Sequence, residues 1–261
     1  MDMSDTSLPA RRRARLELEF ERRGERSVLA ARRHEGPLVV QKSLHPEGPG
    51  ICHALVVHPP AGIAGGDRLV LEVAVGAAAH AVLATPGAGK WYRSAGPWAD
   101  QEIRFTVGAG ASLEWLPQET ILYDGSLAGM RNMVRLEQGA HYLGWDILCF
   151  GRSGAGERMT RGHCRMSLQL ESQGVPRFVE RADLEAGSPA FSSPAGLAGL
   201  TVTGTLIAAS PLKAPSARSA RQTSPMPPRP RRSTMRQAPT TSPVRSRSEE
   251  HTSELQSRLH L

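Results

Sequence analysis

Apolar residues recur at every second position over most of the chain's first 209 residues, and that period commits the chain to strands. Leu16, Leu18 and Phe20 alternate with Glu17, Glu19 and Glu21. Leu69, Leu71, Val73 and Val75 form one face of RLVLEVAV, and Met166, Leu168 and Leu170 one face of CRMSLQLES. Successive side chains of an extended chain point to opposite faces, so strict alternation means one buried and one solvated face. Further strands are expected at 51–58, 79–84, 102–107, 112–116, 133–136, 142–150 and 178–184. Amphipathic helical stretches of useful length are hard to find. The fold class is read as mainly β, with few short helices.

The turns between these strands repeat. V-G-A-x-A occurs at 75–79 and again at 107–111, and a related Gly-Ala-His follows at 139–141. Each marks the end of one strand and the start of another, at a spacing of about 30 residues. Such spacing suits stacked β coils, and it equally suits hairpins in an ordinary sandwich.

Charge is unevenly distributed. The formal net charge is +7, yet residues 1–209 hold 22 Lys/Arg and 22 Asp/Glu, while 210–261 hold 10 against 3. The basic character belongs to the tail alone, so the body gives no support to a nucleic-acid-binding surface. Residues 210–261 carry 8 of the 20 prolines and few large apolar side chains, a composition expected to stay disordered. Their Pro/Arg/Ser/Ala bias matches a shifted reading frame of GC-rich DNA. RSEEHTSELQS at 247–257 matches the translation of a sequencing-library adapter. We therefore expect a folded body at 1–209 and an artefactual tail at 210–261. No run of roughly 18 apolar residues occurs, which argues against a spanning helix. The Arg-rich start leads into RLELEFER rather than an apolar stretch, so no signal peptide is expected. Three cysteines are too few for a disulfide framework, and a cytoplasmic setting is expected.

HPPAGIAGGD at 58–67 joins two prolines to three glycines, which suits either a tight strand connector or a backbone cradle. Asp67 at its end either caps a turn or points a carboxylate inward. ATPGAGK at 84–90 departs from the phosphate-binding GxxxxGK[ST] pattern. Ala84 replaces the first glycine, Trp91 stands where Ser or Thr would hold magnesium, and Pro86 removes a backbone donor. Cys52 and His58 share a strand face, but six residues of strand separate them by about 20 Å. His163 and Cys164 face opposite ways, and no metal-binding spacing such as CxxC or HExxH occurs. Asp146 and Glu180 interrupt apolar strands. An acid so placed must face water, find an arginine partner or shift its pKa. One reading makes each a salt-bridge partner; the other makes them line a hydrophilic passage or weak cation site, since oxygen ligands alone hold a transition metal loosely. No nucleophile elbow or paired-acid spacing is present, so an enzyme is not expected.

Six collinear segments together resemble the urease accessory protein UreD (UreH) family. They are GPLVVQKSLHPEG (36–48), HPPAGIAGGD (58–67), ATPGAGKWYRS (84–94), LEWLPQETI (113–121), FGRSGAGE (150–157) and ERADL (180–184), within about residues 14–208. Ala61 stands where the family usually has Gly, and Ala84 where it usually has Thr. The family continues for some tens of residues past this point, so final strands are expected to be missing and a sheet edge exposed. The resemblance implies an elongated, β-helix-like stack of sheets with a couple of short helices. It implies a non-enzymatic chaperone and scaffold that binds apo-urease, recruits UreF and the GTPase UreG, and conducts nickel to the urease active site. Asp67, Asp146 and Glu180 fall on positions resembling acids of that nickel passage. No tightly bound cofactor is implied, only nickel in transit. A β-solenoid carbohydrate- or protein-binding module without a metal role is the competing reading. Its aromatic platforms would have to come from Trp91, Trp98, Trp115 and Trp145.

Overall fold

The computed structural model describes residues 12–60 and 62–211. The described strands begin with β1 (Arg13–Arg23), β2 (Arg26–Glu35), β3 (Val39–Val40), β4 (Cys52–Val57) and β5 (Arg68–Val75). They continue with β6 (His80–Ala84), β7 (Gly89–Trp91), β8 (Ala99–Val107), β9 (Ser112–Leu116) and β10 (Thr120–Leu122). The last are β11 (Leu127–Leu136), β12 (His141–Phe150), β13 (His163–Ser172), β14 (Val175–Glu185) and β15 (Val202–Ala209). Helical structure among the described residues is a 3-10 turn at Ser153–Ala155 and a single turn of α-helix, α1 (Pro189–Ser192). The mainly β reading holds.

Successive strands pass back and forth between two sheets. β1, β5, β8, β11 and β13 lie side by side and parallel in the first, and β14 and β2 add antiparallel edges. β4, β6, β9 and β12 run parallel in the second. Parallel neighbours need a crossover rather than a hairpin. Here the crossover is a strand of the other sheet, so each coil stacks on the last in a solenoid-like arrangement. The V-G-A repeats are the corners of these coils. Gly108 N donates to Val75 O at 2.8 Å, and Ala78 N donates to Ala109 O at 3.0 Å. A Cβ on Gly108 would come within 2.9 Å of the Val75 carbonyl oxygen, which is why the corner keeps glycine. Stacked coils, not independent hairpins, explain the repeat.

The register aligns the apolar face of every strand. Leu18, Val73, Phe105, Val134 and Leu170 form one inward ladder across the first sheet, each 3% exposed or less. Cys52, Ala81, Leu113 and Tyr142 form its counterpart across the second. Burying a side chain of this size contributes about 1.5–3 kcal/mol, so the ladders supply the bulk of the hydrophobic driving force.

Several boundaries differ from the sequence expectation. β2 was not expected, because SVLAARRH lacks alternation; pairing with β1 across the Gly24 turn imposes it. β8 starts at Ala99 rather than 102, β11 at Leu127 rather than 133, and β14 at Val175 rather than 178. Polar residues and Gly129 hide the period there, and the flanking strands supply the pairing. β7 and β10 are too short to show a period at all. β15, in the segment where the composition changes, pairs antiparallel with β12. The proposed tail lies outside the described residues from 212 on.

The outward faces of the two sheets differ in chemistry. On the first, Glu72 pairs with Arg15 and Arg104, and Glu102 with Arg104 and Arg68. On the second, β12 turns Leu143, Trp145, Ile147 and Cys149 outward beside Ala208, Leu206, Gly204 and Val202 of β15.

Candidate functional site

The glycine-rich loop after β4 is a load-carrying corner rather than a ligand cradle. A Cβ on Gly62 would strike the Tyr92 ring, and one on Gly65 would strike Ser94. Its backbone stacks on the next coil through Ile63 N to Lys90 O at 2.8 Å and Gly66 N to Trp98 O at 3.0 Å. Asp67 is 4% exposed and caps this corner: it accepts from Ala64 N at 2.9 Å and Arg12 N at 3.1 Å. Of the two roles open to Asp67 in the sequence, the turn cap is the one its hydrogen bonds display. His58, at the head of the loop, lies inward and half-buried. Burial lowers its pKa from the ordinary range, against the opposing charge of Asp67.

The second sheet is interrupted twice on the same side. β6 stops at Ala84 and resumes as β7 at Gly89; β9 stops at Leu116 and resumes as β10 at Thr120. Pro86 and Pro117 stand in the two breaks, where a missing N–H cannot serve the ladder. Gln118 N donates to Thr85 Oγ1 at 2.9 Å and ties the breaks together. Behind them lies a chamber of about 320 Å³ between the sheets. Its exposed lining residues, Pro86, Gly87, Gly89 and Gln118, mark its mouth. Its inward polar residues include His58, Gln101, Thr120, Asn132 and Asp146, and Lys90 is also part of its lining. The segment that resembled a phosphate loop is therefore the rim of this chamber.

Asp146 stands where three spaces meet. It lines the first chamber, a void of about 10 Å³ beside Trp115 and Thr205, and a second chamber of about 300 Å³. The small void has room for about one water. Glu180 of β14 lines the second chamber, together with Thr205 and Met166. Asn132 Nδ2 donates to Asp146 Oδ2 at 2.6 Å, and Thr205 Oγ1 donates to Glu180 at 3.0 Å. Among the described residues neither acid forms an ion pair. Burial pushes the Asp146 carboxyl up to about 6; the Asn132 hydrogen bond opposes this and the charge of Glu180 adds to it. The structure thus brings Asp146 and Glu180 to one place. Asp67 is not among the described lining residues of these spaces.

The remaining candidates serve the fold. Cys52 is fully buried, and burial pushes the Cys164 thiol up to about 12, which makes both poor ligands and nucleophiles. His53 bonds Glu47 and His163 bonds Asp183 on outward faces. Asp124 fastens the 151–162 segment: burial raises its pKa, but hydrogen bonds from Arg161 and Thr160 outweigh that and hold the carboxylate well below its usual range. Trp91 and Trp115 are core residues, Trp145 donates to Pro117 O, and Trp98 packs against the His163 ring and the Arg165 guanidinium, so the four are taken up by separate contacts of the fold. Among the described residues no three His, Cys, Asp or Glu side chains converge as a metal chelate would require. No described helix is long and apolar enough to cross a membrane.

The opening in the second sheet is not evident from the strand pattern. Two prolines about 30 residues apart, each just after a strand of the same sheet, were the available signal.

The comparisons with known proteins point one way. The UreD urease accessory protein family model matches residues 12–252. A urease accessory protein UreD from Dechloromonas aromatica (strain RCB) is 54% identical over 198 residues, covering 76% of this chain and 69% of the relative. One from Azoarcus sp. (strain BH72) is 55% identical over 196 residues, covering 75% and 69%. Another from Cupriavidus necator is 50% identical over 203 residues, covering 78% and 70%. Identity at this level, with a family model that spans the residues of both sheets, shows that the chain belongs to the UreD urease accessory protein family.

Proposed function

We propose that this chain acts in urease maturation as a non-enzymatic scaffold that binds apo-urease, recruits UreF and the GTPase UreG, and passes nickel through its interior. The relatives' name supplies the urease setting. The observation that supports transit is the position of Asp146, shared by two chambers and facing Glu180 with no cationic partner among the described residues. Nickel is cargo here, and cargo needs ligands that let go: carboxylates with water hold it far less tightly than a Cys/His set. Asp67 contributes by holding the corner that carries His58. Nucleotide chemistry is assigned to UreG, in keeping with the rim role of residues 84–90. A cytoplasmic setting follows from the thiols and from urease as partner.

The test is the double variant Asp146→Leu, Glu180→Leu, expressed with apo-urease, UreF and UreG. Co-purification should be unchanged while nickel content and activity of urease fall by about tenfold or more. Normal nickel loading would remove the passage. Loss of co-purification would show that the acids hold the fold or an interface instead.

A further inference from the structure

We propose that the groove between β2 and residues 42–43 binds an acidic, extended segment of a partner protein, whose carboxylates pair with Arg32 and Lys42. This goes beyond the passage reading and does not depend on it.

The groove lies between two open edges. β2 is an edge strand of the first sheet. Facing it, residues 41–44 run along β4: Gln41 N donates to Leu55 O at 3.0 Å, and Leu44 N donates to His53 O at 2.9 Å. The space between them is about 480 Å³, lined by Leu29, Ala30, Ala31, Arg32, Lys42 and Ser43. The register of β1 with β2 skips Ala30, and such a bulge bends its strand and interrupts the ladder. Apart from that ladder, the backbone of residues 28–35 bonds no other backbone group among the described residues. From Leu29 to Arg32 the strand spans about 10 Å, room for three or four residues of extended chain.

Charge selects the occupant. The lining holds two cations and no acid. Arg32 and Lys42 are exposed, and neither they nor Arg33 form an ion pair among the described residues. Elsewhere on this sheet the arginines are neutralised, as Arg15 and Arg104 are by Glu72. Arg32 stands opposite Leu18, at an inward position where the neighbouring strands carry apolar side chains. A charge turned inward on an edge strand repels a second copy of that edge. Carboxylates instead gain charge-assisted hydrogen bonds there, so one pattern rejects self-pairing and accepts an acidic chain. No aromatic side chain lines the groove, so nucleic-acid bases have no platform to stack on. The short side chains of Ala30, Ala31 and Ser43 leave room for a peptide backbone.

The purified full chain is titrated into a short fluorescein-labelled peptide of alternating Glu and Thr, and binding is followed by anisotropy. Saturable binding is expected, about tenfold or more weaker for the matching Gln/Thr peptide and in the variant Arg32→Glu, Lys42→Glu. Equal binding of the Gln/Thr peptide, or unchanged binding in a variant that melts like the parent, would overturn the proposal. Should the variant melt early, hydrogen exchange on the unmodified chain decides. The peptide must protect amides within 29–32, and protection only elsewhere overturns it. A single-stranded oligothymidine that binds the same groove as tightly would also overturn it, in favour of a nucleic-acid surface. Nickel loading of urease is not read in this experiment, so its failure leaves the passage standing.

Discussion

The two sheets are built from the same alternating strands, yet they serve opposite ends. The first is unbroken: five parallel strands carry continuous inward ladders and an outward lattice of Glu and Arg. The second is interrupted at Pro86 and Pro117, and its outward face is apolar along β12 and β15. The first sheet therefore behaves as a wall, and the second as a wall with an opening. Continuity of the apolar period buries surface and stabilises; interruption of it leaves space, and the acids sit beside that space. A fold made only for stability would fill the chamber and would not place Asp146 inside.

The largest expected effect tests the wall. Phe105→Ala should destabilise the chain by about 3–5 kcal/mol in chemical denaturation, because Phe105 packs between Val73 and Val134 and against Trp115. Thr120→Ala, inward in the interrupted sheet and lining the chamber, should cost less than about 1 kcal/mol. Equal losses would erase the contrast between the sheets.

Next comes the buried acid. Asp146 has a folded-state pKa near 6 against an ordinary 3.8, so the folded state binds the extra proton and loses stability as pH rises between those values. Asp146→Asn keeps an acceptor for Asn132 and removes the charge. It should stabilise the chain at neutral pH by on the order of 2 kcal/mol. The gain should shrink as pH falls and vanish below the ordinary value, where both states are protonated. A pH-independent effect would place the benefit elsewhere.

Smaller still is the outward apolar face. Leu206 is 65% exposed and β15 is an edge strand, so Leu206→Lys should cost within about 0.5 kcal/mol yet reduce self-association by light scattering. The smallest effect belongs to the opposite face. Arg104→Ala should change stability by less than about 1 kcal/mol, and less so at high salt, because the Arg104 side chain is 42% exposed and solvent screens its ion pairs.

Most of the first sheet was legible in sequence, and the second only in part. Leu16, Leu69 and Met166 announced their strands because each sits in a half-buried ribbon, where the period is cleanest. The corners were legible as V-G-A repeats, although only the stacked hydrogen bonds distinguish coils from hairpins. β2, β7 and β10 were not legible, since their pairing comes from neighbours rather than from their own side chains. Asp146 and Glu180 stood out as charges in apolar strands. Their convergence could not be read, because it depends on β12 and β14 belonging to different sheets that face each other. Asp67 was read as an equal of these two, and its turn-capping bonds to Ala64 and Arg12 are tertiary facts that spacing does not encode.

A wet interior reached through the interrupted sheet must admit a water-borne reagent to the space between the sheets. In a background with Cys52, Cys149 and Cys164 replaced, Gln101→Cys puts a thiol on the chamber wall. Gly87, at the mouth, has open space around it and tolerates a large side chain. A small charged thiol reagent should modify the cysteine faster than the chain unfolds, and Gly87→Trp should slow that reaction. Modification only at the rate of global unfolding, indifferent to Gly87→Trp, would show that the interior is closed.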